Sequence, residues 1–390
     1  MMSGKGTIMF EQGFIRKLAL KNSMLQPLAL GSFKNWLRLL RANKHIDTRY
    51  LGRAIYVSLV SMLFGPARMY QRLRYHRTFE NVKIKRDPIF ILGHWRSGTT
   101  HLHNMLCQDR RFGYVSALQV LAPDLFYVAG ESFKKLLRLG TPENRLIDNM
   151  TWSIDSPQEE EMALGNMSPY SLYHLWSFPQ NAKQYFDRYA IFKDVTSEEI
   201  ETWKEKYMEV IKTATFNMQG RRLVIKNPAN TGRIPILLEM FPNAKFIFLH
   251  RDPYDVFLST RNLYKKTLPH SQLQEISDEE IDANILTFYT EMMKHYLSDR
   301  GLIPPRNLIE VGYRELDKTP LPVMRRIYNS MNFWPYARVR KRLRRYLNSL
   351  KGYQKNSYQI STTDIENVNH HWGFAFEEWG YSTRRPDGLE

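Results

Sequence analysis

The stretch Pro88-Ile-Phe-Ile-Leu-Gly-His-Trp-Arg-Ser-Gly-Thr-Thr-His-Leu102 gathers one arginine, two glycines and three hydroxyls within a few residues. Such a set can hold an oxyanion. Ile89 to Leu92 is a short apolar run bounded by Pro88 and Gly93, the pattern of a strand buried on both faces. The chain then turns at Gly93 and Gly98 and enters a helical pattern with Leu102, Met105 and Leu106 on one side. Strand, glycine loop and helix together aim backbone N–H groups and a positive helix end at a phosphate. Gly93 and Gly98 have the spacing of a nucleoside-triphosphate P-loop, but Thr99 stands in the Lys position and only Thr100 matches. The cation, Arg96, lies inside the loop instead. The stretch reads as an anion cradle for something other than ATP.

Two more strand ends carry cations. Arg222-Leu-Val-Ile-Lys226 reads as a buried strand ending at Lys226-Asn-Pro228, with a helix following over Ile234 to Phe241. A third strand, Ala244 to Leu249, leads into His250-Arg-Asp-Pro-Tyr-Asp-Val-Phe-Leu-Ser259. Asp252 before Pro253 is an N-cap with proline at N1, so a helix starts there, with Arg251 ahead of the cap and Ser259 inside the helix. Cations at the carboxyl ends of parallel strands lie where α/β proteins bind ligands. Between these strands, Glu159, Glu160 and Glu161 follow Pro157 and suit the first turn of a helix. One of them turned into a cleft would act as a general base.

Arg96-Ser-Gly-Thr-Thr100 after a hydrophobic strand resembles the 5′-phosphosulfate loop of sulfotransferases, which use 3′-phosphoadenosine 5′-phosphosulfate as donor. Cytosolic members usually carry Lys where Arg96 stands, and many bacterial and Golgi-type members carry Arg. Arg251-x-Pro253 with Ser259 eight residues after the arginine resembles the family's grip on the 3′-phosphate. Lys226-x-Pro228 resembles the strand end that brings a Lys towards the sulfonate. The resemblance is firm over residues 88–263 and loose in the flanks. It implies a P-loop-like three-layer α/β fold, with a central parallel sheet and helices on both faces. It also implies transfer of a sulfuryl group to an acceptor hydroxyl, with adenosine 3′,5′-bisphosphate as product. Gly93, His94, Trp95, Arg96, Ser97, Gly98, Thr99, Thr100, Arg251 and Ser259 would bind the donor; Arg96 and Lys226 would also act in catalysis. Glu159 is the first choice of base and Glu160 the second; His94, His101 and His103 compete, because cytosolic members use a histidine. No metal is expected.

The elements that must position these residues fit within 390 residues, of which 43% are hydrophobic and 13% aromatic. Residues 88–390 read as the transferase domain and residues 1–87 as a helical extension, packed on the core or lying on a membrane surface. In that extension Leu18, Leu20 and Leu25 alternate with lysines, and Phe33, Trp36, Leu37 and Leu40 recur at helical spacing. Asp47 is placed to cap a helix through Tyr50, Ile55, Leu59 and Leu63, ending at Gly65-Pro66, and a basic stretch runs from Arg68 to Arg77. Downstream, Ser277 with Glu280 and Thr363 with Glu366 have capping-box spacing, and Asn307 to Val311 reads as another strand. Lys351-Gly-Tyr-Gln-Lys355 only faintly echoes the family's adenosine 3′-phosphate segment and is assigned no role.

The formal charge of +17 favours anionic partners: a polyanionic nucleotide, an anionic membrane or nucleic acid. The motifs favour the nucleotide, and no nucleic-acid partner is expected. One cysteine, Cys107, excludes an internal disulfide, and the longest apolar run, Ala54 to Phe64, is too short to span a bilayer. A cytoplasmic enzyme, peripheral to the membrane at most, is the expectation. Of the ten aromatics from Tyr170 to Tyr207 some must be core, and the segment also suits an acceptor pocket for an apolar alcohol such as a sterol or lipid. The rival readings are a P-loop-like kinase or NTPase and a non-catalytic module binding anionic ligands or membrane.

Overall fold

Five parallel strands form the centre of the computed structural model, which describes residues 26–385 apart from 44, 129, 132–133, 136, 138–152 and 353–355. They are β1 (Ile89–Leu92), β2 (Phe112–Gly113), β3 (Arg222–Lys226), β4 (Lys245–His250) and β5 (Leu308–Gly312), in the order β2-β3-β1-β4-β5. β1 is flanked by β3 on one side and β4 on the other, so the chain leaves it in both directions. That is a topological switch point, where the crevice beyond the carboxyl ends receives ligands.

The alternation of side chains along each strand divides the core in two. Phe90, Leu92, Leu223, Ile225, Phe246 and Phe248 point to one layer. Ile89, Ile91, Val224, Ile247 and Leu249 point to the other. Helices Ser197–Asn217, Pro253–Ser271, Asp278–Asp299 and Thr362–Trp379 cover the first face. Thr99–Leu106, Pro320–Ser330 and Ala337–Ser349 cover the second, burying Leu102, Met105, Leu106, Met324, Ile327 and Leu343. The expected three-layer α/β architecture is what forms.

Before β1, the described part of the chain is helical: Phe33–Asn43, Leu51–Leu63 and Gly65–Glu80. It packs on the later chain through specific bonds. Asn35 Nδ2 donates to Gly165 O at 2.8 Å, Gln26 Nε2 to Ser177 Oγ at 3.0 Å. Leu18, Leu20 and Leu25 lie outside the described residues, as do Tyr353, Gln354 and Lys355 of the C-terminal segment.

Several local expectations shift. Asp47 precedes a 3-10 turn, Thr48–Tyr50, and makes no side-chain cap; the helix proper begins at Leu51. Gly65 and Pro66 end one helix but also open the next, because proline is tolerated in a first turn. The capping box at Ser277 and Glu280 forms. That at Thr363 and Glu366 does not: Ser361 and Asp364 form it instead. Asp364 is favoured because it also binds Arg261 of the neighbouring helix, Nη2 to Oδ1 at 2.6 Å. Most of the aromatics expected around an acceptor belong to the core: Trp176, Phe178, Tyr185, Phe186, Tyr189, Trp203 and Tyr207 are all buried.

Candidate active site

The loop after β1 has a shape that its glycines permit. Gly93 has φ +132°, and a Cβ there would stand 2.4 Å from the Leu249 carbonyl oxygen of β4. Gly98 has φ +93°, and a Cβ there would lie 2.2 Å from the Tyr313 ring. Both positions therefore require glycine. Gly98 is the N-cap of helix Thr99–Leu106 and offers no side chain to cap it. The first N–H groups of that helix have no intrahelical carbonyl to bind, so they are placed to receive an anion.

Arg96 is also left-handed, with φ +68°, an unfavourable state for a residue with a side chain. It is held at both ends. Its Nε donates to Ser259 Oγ at 2.9 Å, and its carbonyl accepts from Arg251 Nη1 at 3.1 Å. The backbone is fixed further by Thr231, whose Oγ1 accepts from Gly93 N at 2.8 Å. The structure thus brings Arg96, Arg251 and Ser259, far apart in sequence, into direct contact.

Arg251 follows β4, and Ser259 comes from the helix Pro253–Ser271 that Asp252 caps, accepting from Tyr254 N at 2.9 Å. Asp255 accepts from Arg251 Nε and Nη2 at 3.1 and 2.9 Å, and the guanidinium lies 4.6 Å from the Tyr313 ring centroid. Arg96, Arg251 and Ser259 line a crevice of about 290 Å³ with Gly98, Thr99, Thr100, Tyr313 and Tyr358. Tyr358 OH stands 3.5 Å from Ser259 Oγ and 3.3 Å from Asn262 Nδ2. Tyr313 and Tyr358 were missed from sequence. A signal existed for the first, since Gly312-Tyr313 follows a strand ending at the same sheet edge; Tyr358 had none.

On the other side of β1, Lys226 ends β3 in register with Ile91, two residues short of the loop. Its side chain is 4% exposed, and Nζ donates to Glu159 Oε1 at 2.5 Å; Glu159 keeps 20% of its side chain open. The three adjacent glutamates have three different fates. Glu159 is the N-cap of helix Glu160–Met167 but makes no cap bond, and its carboxylate meets Lys226 at the end of β3 instead. Glu160 is fully buried, its Oε1 accepting from Tyr207 Oη, Asn227 Nδ2 and Asn230 Nδ2 at 3.0, 3.1 and 2.7 Å. Burial and then the Glu161 charge raise its pKa above the ordinary carboxyl value. Glu161 is buried against Arg233, with Nη1 to Oε2 at 2.6 Å. Burial works against its charge, but the Arg233 charge and hydrogen bonds outweigh it and hold the pKa low.

The histidines divide similarly. His94 is buried against Tyr289, its Nδ1 on the Trp95 carbonyl at 3.0 Å, and burial lowers its pKa to about 3. His103 bonds the Val224 carbonyl at 3.1 Å; burial and the charge of Lys226 also lower it to about 3. His101 borders the crevice near Arg96. Ser97 is buried, its N–H donating to His94 O at 3.2 Å, and Trp95 packs its ring on His94 at 5.1 Å. Among the described residues no group of three His, Cys, Asp or Glu is placed to hold a metal ion.

A family model described as "Sulfotransferase family" matches residues 88–334. The chain belongs to the sulfotransferase family. It is 31% identical over 366 residues to the omega-hydroxy-beta-dihydromenaquinone-9 sulfotransferase Stf3 of Mycobacterium bovis, covering 93% of each protein. The Mycobacterium tuberculosis protein of that name matches equally. In fold it is similar to the sulfotransferase STF9 of Mycobacterium avium, with a TM-score of 0.65 at 17% identity over 90% of this chain and 97% of that one. STF1 of Mycobacterium tuberculosis H37Rv gives 0.64 at 16% identity, over 88% and 92%. The chain is therefore a transferase of sulfuryl groups. No described helix is long and apolar enough to cross a membrane.

Proposed function

We propose that this enzyme transfers a sulfuryl group from 3′-phosphoadenosine 5′-phosphosulfate to the hydroxyl of a lipid alcohol. The observation that carries the reading is the contact of Arg96 with both Arg251 and Ser259 at the switch point. The residues fit the donor. Two positions that accept no Cβ let a 5′-phosphosulfate approach the backbone closely, where the N–H groups of Gly98, Thr99 and Thr100 open the helix. Of the five guanidinium N–H groups of Arg251, three are engaged, so Nη1 and Nη2 each keep one for a 3′-phosphate. Ser259 adds a hydroxyl, and the Tyr313 and Tyr358 rings add flat apolar walls. ATP has no 3′-phosphate for the arginine fork to bind.

When bound, the nucleotide supplies an electrophilic sulfonate and a phosphate leaving group. The residues of this chain do the rest. Glu159 accepts the proton of the acceptor hydroxyl; of the three glutamates it is the one partly open at the sheet edge. Lys226 is the ion-pair partner of Glu159 and, with Arg96 and the N–H groups of Gly98 to Thr100, favours negative charge on the sulfonate and leaving oxygens. Glu160 is bound on its Oε1 by three donors and acts in positioning Asn227 and Asn230, rather than as base. His94 and His103, lowered to about 3, hold a proton too weakly to serve near neutrality. Residues 88–390 are taken as the transferase unit and residues 1–87 as its helical extension.

The acceptor class rests on the relative at 31% identity, whose name gives a hydroxylated menaquinone derivative as its substrate. Sulfur-labelled donor incubated with the enzyme and separate panels of long-chain lipid alcohols, sterols, phenols and sugars tests it. Label should enter the lipid alcohols; label only in the sugars overturns the acceptor assignment, and label in none overturns the donor assignment.

A further inference from the structure

Large apolar side chains open to solvent are concentrated in one place. Of the ten among the described residues, eight lie on the consecutive helices Leu51–Leu63 and Gly65–Glu80, each 48 to 75% exposed. Leu51, Ile55, Leu59 and Met62 recur every three or four residues and so form one stripe. Across the corner at Phe64, Met69, Tyr70 and Leu73 form another. A ninth exposed residue, Tyr127, packs its ring at 4.6 Å from Tyr75 of the second helix. The opposite side of these helices is engaged with the protein. Ala54, Val57 and Ser61 are buried, and Ser58 Oγ accepts from Trp36 Nε1 at 2.8 Å. The stripes are thus a fixed outer face. Together they expose on the order of several hundred Å², more than monomeric proteins leave open without use.

The charge on this face selects its occupant. From Thr48 to Glu80 the chain has six arginines and one carboxylate, the terminal Glu80; Arg68 is buried and Arg49 is paired with Glu275. Arg72, Arg74 and Arg77 are exposed around Leu73. A second copy meeting this face about a two-fold axis would set the same arginines against each other. An anionic bilayer satisfies both features, taking the leucines and methionines at the acyl boundary and the arginines at the phosphates. Helices of 13 and 16 residues carrying arginine are too short and too charged to span it, so they lie along it.

We infer that helices Leu51–Leu63 and Gly65–Glu80 form a docking face by which the enzyme rests on an anionic phospholipid surface. This goes beyond the proposed acceptor: it holds whichever hydroxyl is sulfated. None of these residues lines the crevice of Arg96 and Arg251, so docking and donor binding separate experimentally.

Full-length enzyme is co-sedimented with phosphatidylcholine vesicles and with the same vesicles containing phosphatidylglycerol. Binding should require phosphatidylglycerol and weaken as salt rises. The triple variant Ile55→Asn, Leu59→Asn, Leu73→Asn should bind at least about tenfold more weakly. The double variant Arg74→Gln, Arg77→Gln should also bind more weakly, and both variants should keep wild-type affinity for adenosine 3′,5′-bisphosphate, which certifies their fold. Wild-type enzyme that stays in the supernatant overturns the inference. So does undiminished binding by the triple variant. A wild-type dimer in light scattering that the triple variant dissolves would assign the face to a second copy and overturn it equally.

Discussion

Glu159→Gln and Glu160→Gln compare two neighbouring carboxylates, one partly open and the other fully buried. Glutamine keeps an oxygen for the Lys226 ammonium, 2.5 Å away in the native pair, but takes no proton. Loss of a general base should lower kcat about a hundred- to ten-thousandfold, roughly 3–5 kcal/mol on the barrier. Lys226 loses its counter-charge but not its acceptor, so folding should weaken by only about 1–2 kcal/mol. In Glu160→Gln the amide oxygen still accepts from Tyr207, Asn227 and Asn230, while the Oε2 replaced by NH₂ is buried without a partner. Turnover should stay close to wild type. The pH dependence differs as well. The raised Glu160 pKa means that the native state binds this proton more tightly than the unfolded chain, so ionisation weakens the fold as pH rises above the ordinary carboxyl range. Glutamine cannot ionise, so Glu160→Gln should gain stability relative to wild type as pH increases. Single-turnover rates with saturating donor, melting curves across pH and calorimetry with adenosine 3′,5′-bisphosphate measure all three. Glu159→Gln turning over within about tenfold of wild type refutes the assignment, as does an equal loss in Glu160→Gln.

Arg251→Lys should weaken adenosine 3′,5′-bisphosphate binding by roughly ten- to a hundredfold, the loss expected of a charge-assisted fork. Adenosine 5′-phosphosulfate, lacking the 3′-phosphate, should bind wild type and variant alike in the same calorimeter. Gly93→Ala places a Cβ 2.4 Å from the Leu249 carbonyl at φ +132°. It should cost about 2–4 kcal/mol of stability, and an unchanged melting temperature would contradict the loop geometry. Arg233→Met strands a fully buried Glu161 carboxylate and should cost about 3–5 kcal/mol at neutral pH. Because the native Glu161 pKa is lowered, the stability from this pair is present above the ordinary carboxyl value and lost as pH falls through the lowered one. The variant should therefore lose much less stability on acidification than wild type.

The features legible in the sequence are those encoded by adjacent residues. Ile89 to Leu92 could only be a buried strand, Gly93 and Gly98 only a turn, and Asp252-Pro253 only a helix start. The order of those signals at successive strand ends was enough to place Arg96, Lys226 and Arg251 along one edge. Three matters were not encoded locally. Which glutamate faces outward depends on where helix Glu160–Met167 begins, and one residue of phase decides it. Tyr313 and Tyr358 reach the crevice through contacts with Gly98 and Ser259 that span long stretches of chain. Ser361-x-x-Asp364 and Thr363-x-x-Glu366 overlap, and the partner that favours the first, Arg261, lies on another helix. Which of the ten aromatics are core was not encoded locally either: composition does not say which rings the fold will bury.

The central claim is that one nucleotide is gripped at two strand ends, and a crystal structure of the enzyme with adenosine 3′,5′-bisphosphate tests it most directly. The 3′-phosphate should lie on Arg251 and Ser259, with the 5′-phosphate on the N–H groups of Gly98 to Thr100. A nucleotide bound elsewhere, or one whose 3′-phosphate touches neither residue, would contradict the account.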